Sequence, residues 1–312
     1  MTAIPGLHVL HDEPLAFHTR FGLGGPARLY LEAATPDAFL RARSVLQREG
    51  VAFTVIGEGS NLIVADAGFG GAVLRLVNRE IRREGTTVHV DGGVTLQTLV
   101  DFTVAQGLKG LETMTGIPGS VGAAVYGNAG AYGHSIQERV VKVLFHDGEG
   151  LRELDNAGCE FQYRESIFKR RKQWIIISSE LAMEAGEAAS LLEKATGILD
   201  VRNRKYPPTM KCAGSIFKNF LLAKLPAEVA AQVPGKVVIE GKIPSAWFLE
   251  QVGAKGLRVG DIQVADYHAN LIYNDGAGTA RDLRIVIADL QERIRQRFGI
   301  PLEEEVQYIG FE

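Results

Sequence analysis

The chain has 312 residues, 46% of them hydrophobic and 23% charged, a composition of an ordinary globular protein long enough for two or three domains rather than one. Lys and Arg total 34 against 37 Asp and Glu, a formal net charge of -3 that excludes an overall cationic field for nucleic acid and leaves any anionic ligand to local arrangements. No apolar run reaches the roughly 18 residues of a membrane span, and the start "MTAIPGLHVLHDEP" has no basic segment leading into an apolar one. The two cysteines, Cys159 and Cys212, form no C-x-x-C pattern, so free thiols in a reducing, cytoplasmic compartment are expected.

Along the chain, "ARLYLEA" alternates as a strand. It leads into "TPDAFLRARSVLQREG", a helix with Thr35 as N-cap, Pro36 in the first turn, apolar Phe39, Leu40, Ala42, Val45 and Leu46, and Gly50 at its close. The strands "FTVIG" and "NLIVAD" complete a predicted β-α-β unit over residues 27–65. A second α+β layer is expected from about 80 to 185, with "TTVHVDGG", a short helix from about Thr95 to Gln106, a glycine-rich stretch, "VVKVLFHD" and "WIIISSELAME". From Glu187 a helical pattern of Leu191, Leu192, Ala195, Ile198 and Leu199 runs into "RNRKYPPTMKCAGS", where Pro207 and Pro208 end the helix and open a linker. A third segment over about 209–299 ends in a helix with a Thr279 and Asp282 capping box, a stripe of Leu283, Val286, Ile287, Leu290, Ile294 and Phe298, and a Gly299 cap. The tail "PLEEEVQYIGFE" reads as a final strand.

Two loops invite a ligand. "GIPGSVGAAVYGNAGAYG", Gly116 to Gly133, holds six glycines and four alanines in eighteen residues with few charges, too little side chain for a core and too apolar for a solvated linker. "IGEGSNLIV" places Gly57, Gly59, Ser60 and Asn61 after a strand, where consecutive N–H groups suit a pyrophosphate or simply make a tight turn. Together they point to a flat cofactor carrying a diphosphate, which needs close backbone approach and N–H donors. "GLGGPA" formally matches a dinucleotide fingerprint through Gly22, Gly24 and Ala27, but it precedes a strand instead of opening a helix, so a Rossmann site is disfavoured. The seven histidines show no metal-ligand spacing; His8 and His11 are expected to be solvated, and no metal site is expected.

In order, "GEGSNLIV", the glycine-rich stretch, "YRESIFK", "AGSIFKN", "WFLEQVGAKGLRVG", "HANLIYN" and "LEEEVQYIG" resemble the UDP-N-acetylenolpyruvoylglucosamine reductase family of bacterial cell-wall synthesis from about residue 18 to 310, in the branch without an inserted tyrosine loop. The resemblance implies an α+β flavoprotein. Its FAD-binding region would be of the vanillyl-alcohol-oxidase-like (PCMH) type in two α+β subdomains, 1–80 and 81–200, followed by an α+β substrate-binding domain with a catalytic tail, 201–312. FAD, held noncovalently, would contact Gly57, Glu58, Gly59, Ser60, Asn61 and Leu62 in one loop and Gly116, Ile117, Pro118, Gly119, Ser120, Gly122, Ala123, Asn128 and Gly130 in the other.

The implied reaction has NADPH reduce the flavin and leave, after which hydride passes to the vinyl terminus of UDP-N-acetylglucosamine enolpyruvate to give UDP-N-acetylmuramate. Addition there pushes electrons into the substrate carboxylate. Arg164 would polarise that group, with Glu305 assisting in a protonated or proton-sharing state, and Ser215 would protonate the carbon that gained electrons. Glu305 is preferred over Glu303 and Glu304 from the family pattern of Leu, two residues, then Glu-Val; in an extended tail Glu303 shares its face and Glu304 points away. Lys218 and Asn219 are candidates for binding the substrate diphosphate. Three positions depart from the family pattern and bear on loop geometry: Phe220 where proline is common, Lys211-Cys212 before "AGS", and Ala123 where glycine is frequent. Another flavin oxidase on the same scaffold would have no reason to keep Arg164, Ser215 and Glu305 together, and a non-catalytic binding protein would bind without turnover. The sequence leaves the oligomeric state open.

Overall fold

The computed structural model describes residues 4–311; Met1–Ala3 and Glu312, at the ends of the expected first and last domains, lie outside the described residues. The chain divides into two compact units that interleave in sequence. Unit 1 comprises residues 1–12, 28–58 and 71–208, and unit 2 comprises residues 13–27, 59–70 and 209–312. The expected divisions at 80 and 200 are linear, whereas unit 2 draws two short segments from the region expected to form the first subdomain.

In unit 1, β1 (Leu7–Pro14), β2 (Pro26–Ala33), α1 (Pro36–Arg48), β3 (Phe53–Ile56) and β4 (Phe69–Leu76) build the first layer, whose sheet runs β1-β2-β4-β3. Thr35 caps α1 by accepting from Ala38 N at 3.2 Å, and Gly50 follows its end with φ of 63°. Phe39, Ala42 and Leu46 then bury against Leu31, Ala72 and Leu74. The β-α-β expectation needs correcting in its pairing. β2 and β3 both flank β4, to which β3 runs parallel, and the strand Leu62–Val64 joins a different sheet in unit 2.

The second layer of unit 1 consists of β5 (Ile81–Glu84), β6 (Thr87–Asp91), α2 (Leu96–Ala105), α3 (Val121–Tyr126), β7 (Val140–His146), β8 (Leu151–Asp155), β9 (Ile175–Ala182) and α4 (Ala188–Lys205). Its sheet is antiparallel in the order β8-β7-β9-β6-β5 and shares one core with the three helices. Leu191 and Ala195 of α4 are buried as expected, but Leu192 is 58% exposed and lies off the stripe. The helix continues to Lys205, so the linker is shorter than the motif "RNRKYPPTMKCAGS" suggests.

Unit 2 contains β10 (Lys211–Ser215), α5 (Ser245–Gln251), β11 (Arg258–Val259), β12 (Ile262–Val264), β13 (Leu271–Asn274), α6 (Ala280–Phe298) and β14 (Gln307–Ile309). A sheet in the order β10-β13-β12-β11 packs beneath α6, whose expected apolar stripe is buried in full. The Thr279 and Asp282 capping box is present and Gly299 takes the left-handed conformation. Asp66 adds a cap from elsewhere in the sequence, accepting from Ala280 N at 2.7 Å and Arg281 N at 3.0 Å. The final strand is only three residues long and pairs in parallel with Leu62–Val64. Among the described residues no helix is long and apolar enough to cross a membrane.

Candidate active site

The glycine-rich stretch of unit 1 does more packing than its composition suggests. α3 runs through its middle, capped by Ser120 Oγ, which accepts from Ala123 N at 3.2 Å, and Val121, Ala124 and Val125 are buried in the second-layer core. Some of the glycines answer to the protein itself: a Cβ on Gly122 would lie 3.0 Å from Gly92 O, and one on Gly130 would lie 2.3 Å from His134 O. Gly116 N donates to Gln97 Oε1 at 2.6 Å.

The two glycine loops meet. A Cβ on Gly57 would stand 2.8 Å from Ser120 Oγ and 3.4 Å from the Ala123 methyl, so only glycine lets the strand end approach the start of α3. Polar side chains at this place are already engaged by the protein. Glu58 is ion-paired with Arg75, which also reaches Glu32 at 3.2 Å. Tyr30 is buried beside them, donates to Glu32 at 3.3 Å, and has its hydroxyl pushed up to about 12 by that burial against the opposing pull of Arg75. Asn128, with φ of 43° and 3% exposed, donates to Gln137 Oε1 and to Gln162 O, both at 2.8 Å. Within 116–122, Gly116, Ile117, Val121 and Gly122 spend their N–H groups on Gln97, Met114, Val94 and Gly92, and Pro118 has none, so the backbone N–H groups of Gly119 and Ser120, at the start of α3 beside Gly57, are the donors that fit a phosphate of a dinucleotide.

The "YRESIFK" segment clasps this stretch. Arg164 Nη2 donates to Gly130 O at 3.0 Å, its guanidinium lies 5.3 Å from the centre of the Tyr163 ring, and its backbone sits at φ of 58°, a conformation a non-glycine residue takes only when its surroundings impose it. Lys169 Nζ donates to Arg164 O at 2.9 Å, and buried Ser166 donates to Tyr126 O at 2.7 Å. Two motifs 30 residues and more apart in sequence thus form one local structure.

In unit 2, β10 ends at Ser215 in a bulge. The ladder to β13 shifts register between Cys212 and Ser215, and Gly214 takes φ of 75°. Bulges re-aim a side chain at functional sites. The next residues pair with the tail: Lys218 N donates to Glu303 O at 2.9 Å, Phe217 bridges Glu304, and Glu305 N donates to Ile216 O at 2.8 Å. Ser215 and Glu305 are thereby brought into one local structure across 90 residues. Glu303 is ion-paired with Lys218, while Glu304 turns to Gln291 Nε2 at 3.0 Å and to the Tyr308 hydroxyl, the alternation expected of an extended tail.

Asn61, expected at the cofactor, also anchors the tail: its Nδ2 donates to Glu305 O at 2.8 Å and its carbonyl accepts from Gln307 N at 3.0 Å. Leu62 opens the strand beside Gln307, and Gly59 packs so closely on His18 that a Cβ would lie 1.8 Å from its carbonyl oxygen. Asn219 accepts from Ser245 N at 3.3 Å, and Phe220, where proline is common, begins a short strand with its ring 4.6 Å from that of Phe248. In "GLGGPA" the glycines serve packing, since a Cβ on Gly25 would fall 2.3 Å from Asp66 O. His8 and His11 are exposed, and among the described residues no group of three or more His, Cys, Asp or Glu could hold a metal ion. The sequence reading names neither Gln97, Arg75, Ser245 nor Asn270; only the last lies in a quoted motif, where an asparagine inside an apolar run was the available signal.

A model of the FAD binding domain matches residues 27–153, and a model of the UDP-N-acetylenolpyruvoylglucosamine reductase C-terminal domain matches residues 206–309. A UDP-N-acetylenolpyruvoylglucosamine reductase of Solibacter usitatus is 60% identical over 310 residues, 99% of each chain. One of Bacillus subtilis is 35% identical over 306 residues, 97% of this chain and 94% of its own. The chain belongs to the UDP-N-acetylenolpyruvoylglucosamine reductase family.

A solved reductase of this family from Thermus caldophilus aligns with a TM-score of 0.75 at 27% identity, covering 97% of this chain and 98% of its own. The α+β fold is accordingly that of the reductase family: a PCMH-type FAD-binding region followed by the family's C-terminal domain. The chain is a flavin-dependent oxidoreductase with FAD as its cofactor.

Proposed function

We propose that the chain reduces UDP-N-acetylglucosamine enolpyruvate to UDP-N-acetylmuramate in peptidoglycan synthesis, with NADPH as reductant and noncovalently held FAD. In this reading residues 1–80 and 81–200 supply the two FAD-binding subdomains and 201–312 the substrate domain. The two buried free cysteines accord with a reducing cytoplasm. When bound, FAD supplies hydride transfer, taking two electrons from NADPH and passing them to the substrate.

The protein's own residues handle charge and a proton. Arg164 polarises the substrate carboxylate and Glu305, protonated or sharing a proton, hydrogen-bonds to it; losing one such donor costs roughly 3 kcal/mol at the transition state. Ser215 gives its hydroxyl proton to the carbon beside that carboxylate and is reprotonated from nearby. Lys218 and Asn219 bind the diphosphate. The observation that carries this reading is the bulge at Ser215, locked to the tail by the 2.8 Å bond from Glu305 N to Ile216 O.

The test is an anaerobic absorption spectrum of the purified protein, followed by one equivalent of NADPH and then the enolpyruvyl UDP-sugar. The flavin band should bleach and return only with that substrate; return only with oxygen would point to an oxidase, and a protein that cannot be reconstituted with FAD would overturn the reading. Ser215→Ala should leave bleaching by NADPH nearly intact and slow the return at least about 10²-fold, the lower end for general acid catalysis.

A further inference from the structure

The ladder shifts register just before Ser215, and the residues that follow are held on one side by the tail, through Lys218 N to Glu303 O and Glu305 N to Ile216 O. Asn270, 2% exposed, does this from the other side of the segment. Its backbone carbonyl accepts from Ile216 N at 3.3 Å, its Oδ1 accepts from Phe217 N at 2.9 Å, and its Nδ2 donates to Phe217 O at 2.8 Å. One amide therefore holds both polar groups of the residue midway between Ser215 and Asn219. The same Nδ2 donates to Ser245 Oγ at 2.6 Å; Ser245, fully buried, donates to Phe217 O at 3.4 Å and through its backbone N–H to Asn219 Oδ1 at 3.3 Å.

We propose that Asn270, with Ser245, is a positioning residue that sets Ser215 and Lys218 for the substrate half-reaction. The proposal rests on the function proposed above. A buried amide spending two side-chain hydrogen bonds on Phe217 and a third on Ser245, which itself donates to Phe217 O, fixes position far more tightly than a single contact, and misplacement of a reacting group by about 1 Å can cost about 10²-fold in rate.

The experiment is anaerobic stopped-flow on FAD-loaded protein. Asn270→Ala should leave flavin reduction by NADPH within about twofold of the parent and slow reoxidation by the enolpyruvyl UDP-sugar about 10- to 10²-fold. At saturating UDP-sugar, where a weakened Lys218 contact to the substrate does not count, the same change in a Ser215→Ala background should add less than about twofold, because a residue that acts through another has nothing left to lose. Additive losses, or equal slowing of both half-reactions, would overturn the positioning role while leaving Ser215 as proton donor. If Ser215→Ala alone left reoxidation unchanged, the donor assignment would fall and the positioning role with it. Should Asn270→Ala not fold, Asn270→Asp keeps the acceptor for Phe217 N–H but donates to Phe217 O only when protonated. Its reoxidation rate should then recover toward that of the parent, measured in parallel, as pH falls; a variant-to-parent ratio that does not change with pH would overturn the proposal.

Discussion

Lys218 keeps its ammonium against the Glu303 carboxylate, and the two differ sharply in exposure, 10% for the lysine side chain and 69% for the glutamate. If Lys218 binds the substrate diphosphate as proposed, that diphosphate competes with Glu303 for the cation. Glu303→Gln removes the competing charge while keeping the backbone bond from Lys218 N, so KM for the UDP-sugar should fall with NADPH reduction unchanged; steady-state titration of the substrate checks this. Cys159 is buried against the second-layer core, which pushes its thiol up to about 12, and Cys212 is raised in the same way. A raised thiol pKa means that the neutral form is favoured in the folded state. That stabilisation is fully present below the ordinary thiol value and disappears as pH rises through about 12. Ellman's reagent near neutrality should therefore label neither cysteine in the native protein and both in denaturant. At this scale the sequence told residue type better than residue use. Asn61 and Asn128 sit in ligand-like loops, and what the sequence did not tell is that their amides also bind the protein, Asn61 to Glu305 from 244 residues away and Asn128 to Gln162 from 34.

Helix α6 shows what was legible at the scale of elements. Its capping box, stripe and terminal glycine are local, each decided within a turn or two, and all three are observed. The carboxylate of Asp66 at the same helix start is 214 residues distant and left no trace in the pattern. Asp66→Ala strips two bonds from the first turn and should lower stability by about 1 kcal/mol, as for loss of an N-cap, measured as a lower urea midpoint with unchanged slope. Helix α3 was hidden for the opposite reason. Six residues among glycines give no periodicity to read, and it is held by Ser120, by the Gly92 approach and by Ser166 on its last carbonyls. Strands are present where expected at Leu62–Val64 and in the tail at Gln307–Ile309, but they pair with each other, a partnership between distant segments that no local signal encodes.

Over the whole molecule, the family motifs made fold and chemistry legible in outline, because each sits within one short segment. The interleaving of the two units was not, since segments 13–27 and 59–70 read like parts of their neighbours in sequence. The strand Leu62–Val64 finds its parallel partner only in Gln307–Ile309, and Asn61 grips the carbonyl of Glu305. During synthesis, all the residues of unit 1 have been made once Pro208 has emerged, but unit 2 must hold segments from the first quarter of the chain in waiting until Gln307–Ile309 has been made. A chain cut off before Glu305 would hold every residue of unit 1 and lack from unit 2 both the anchored glutamate and its strand, so the half of the enzyme proposed to handle the proton is the later of the two to be completed.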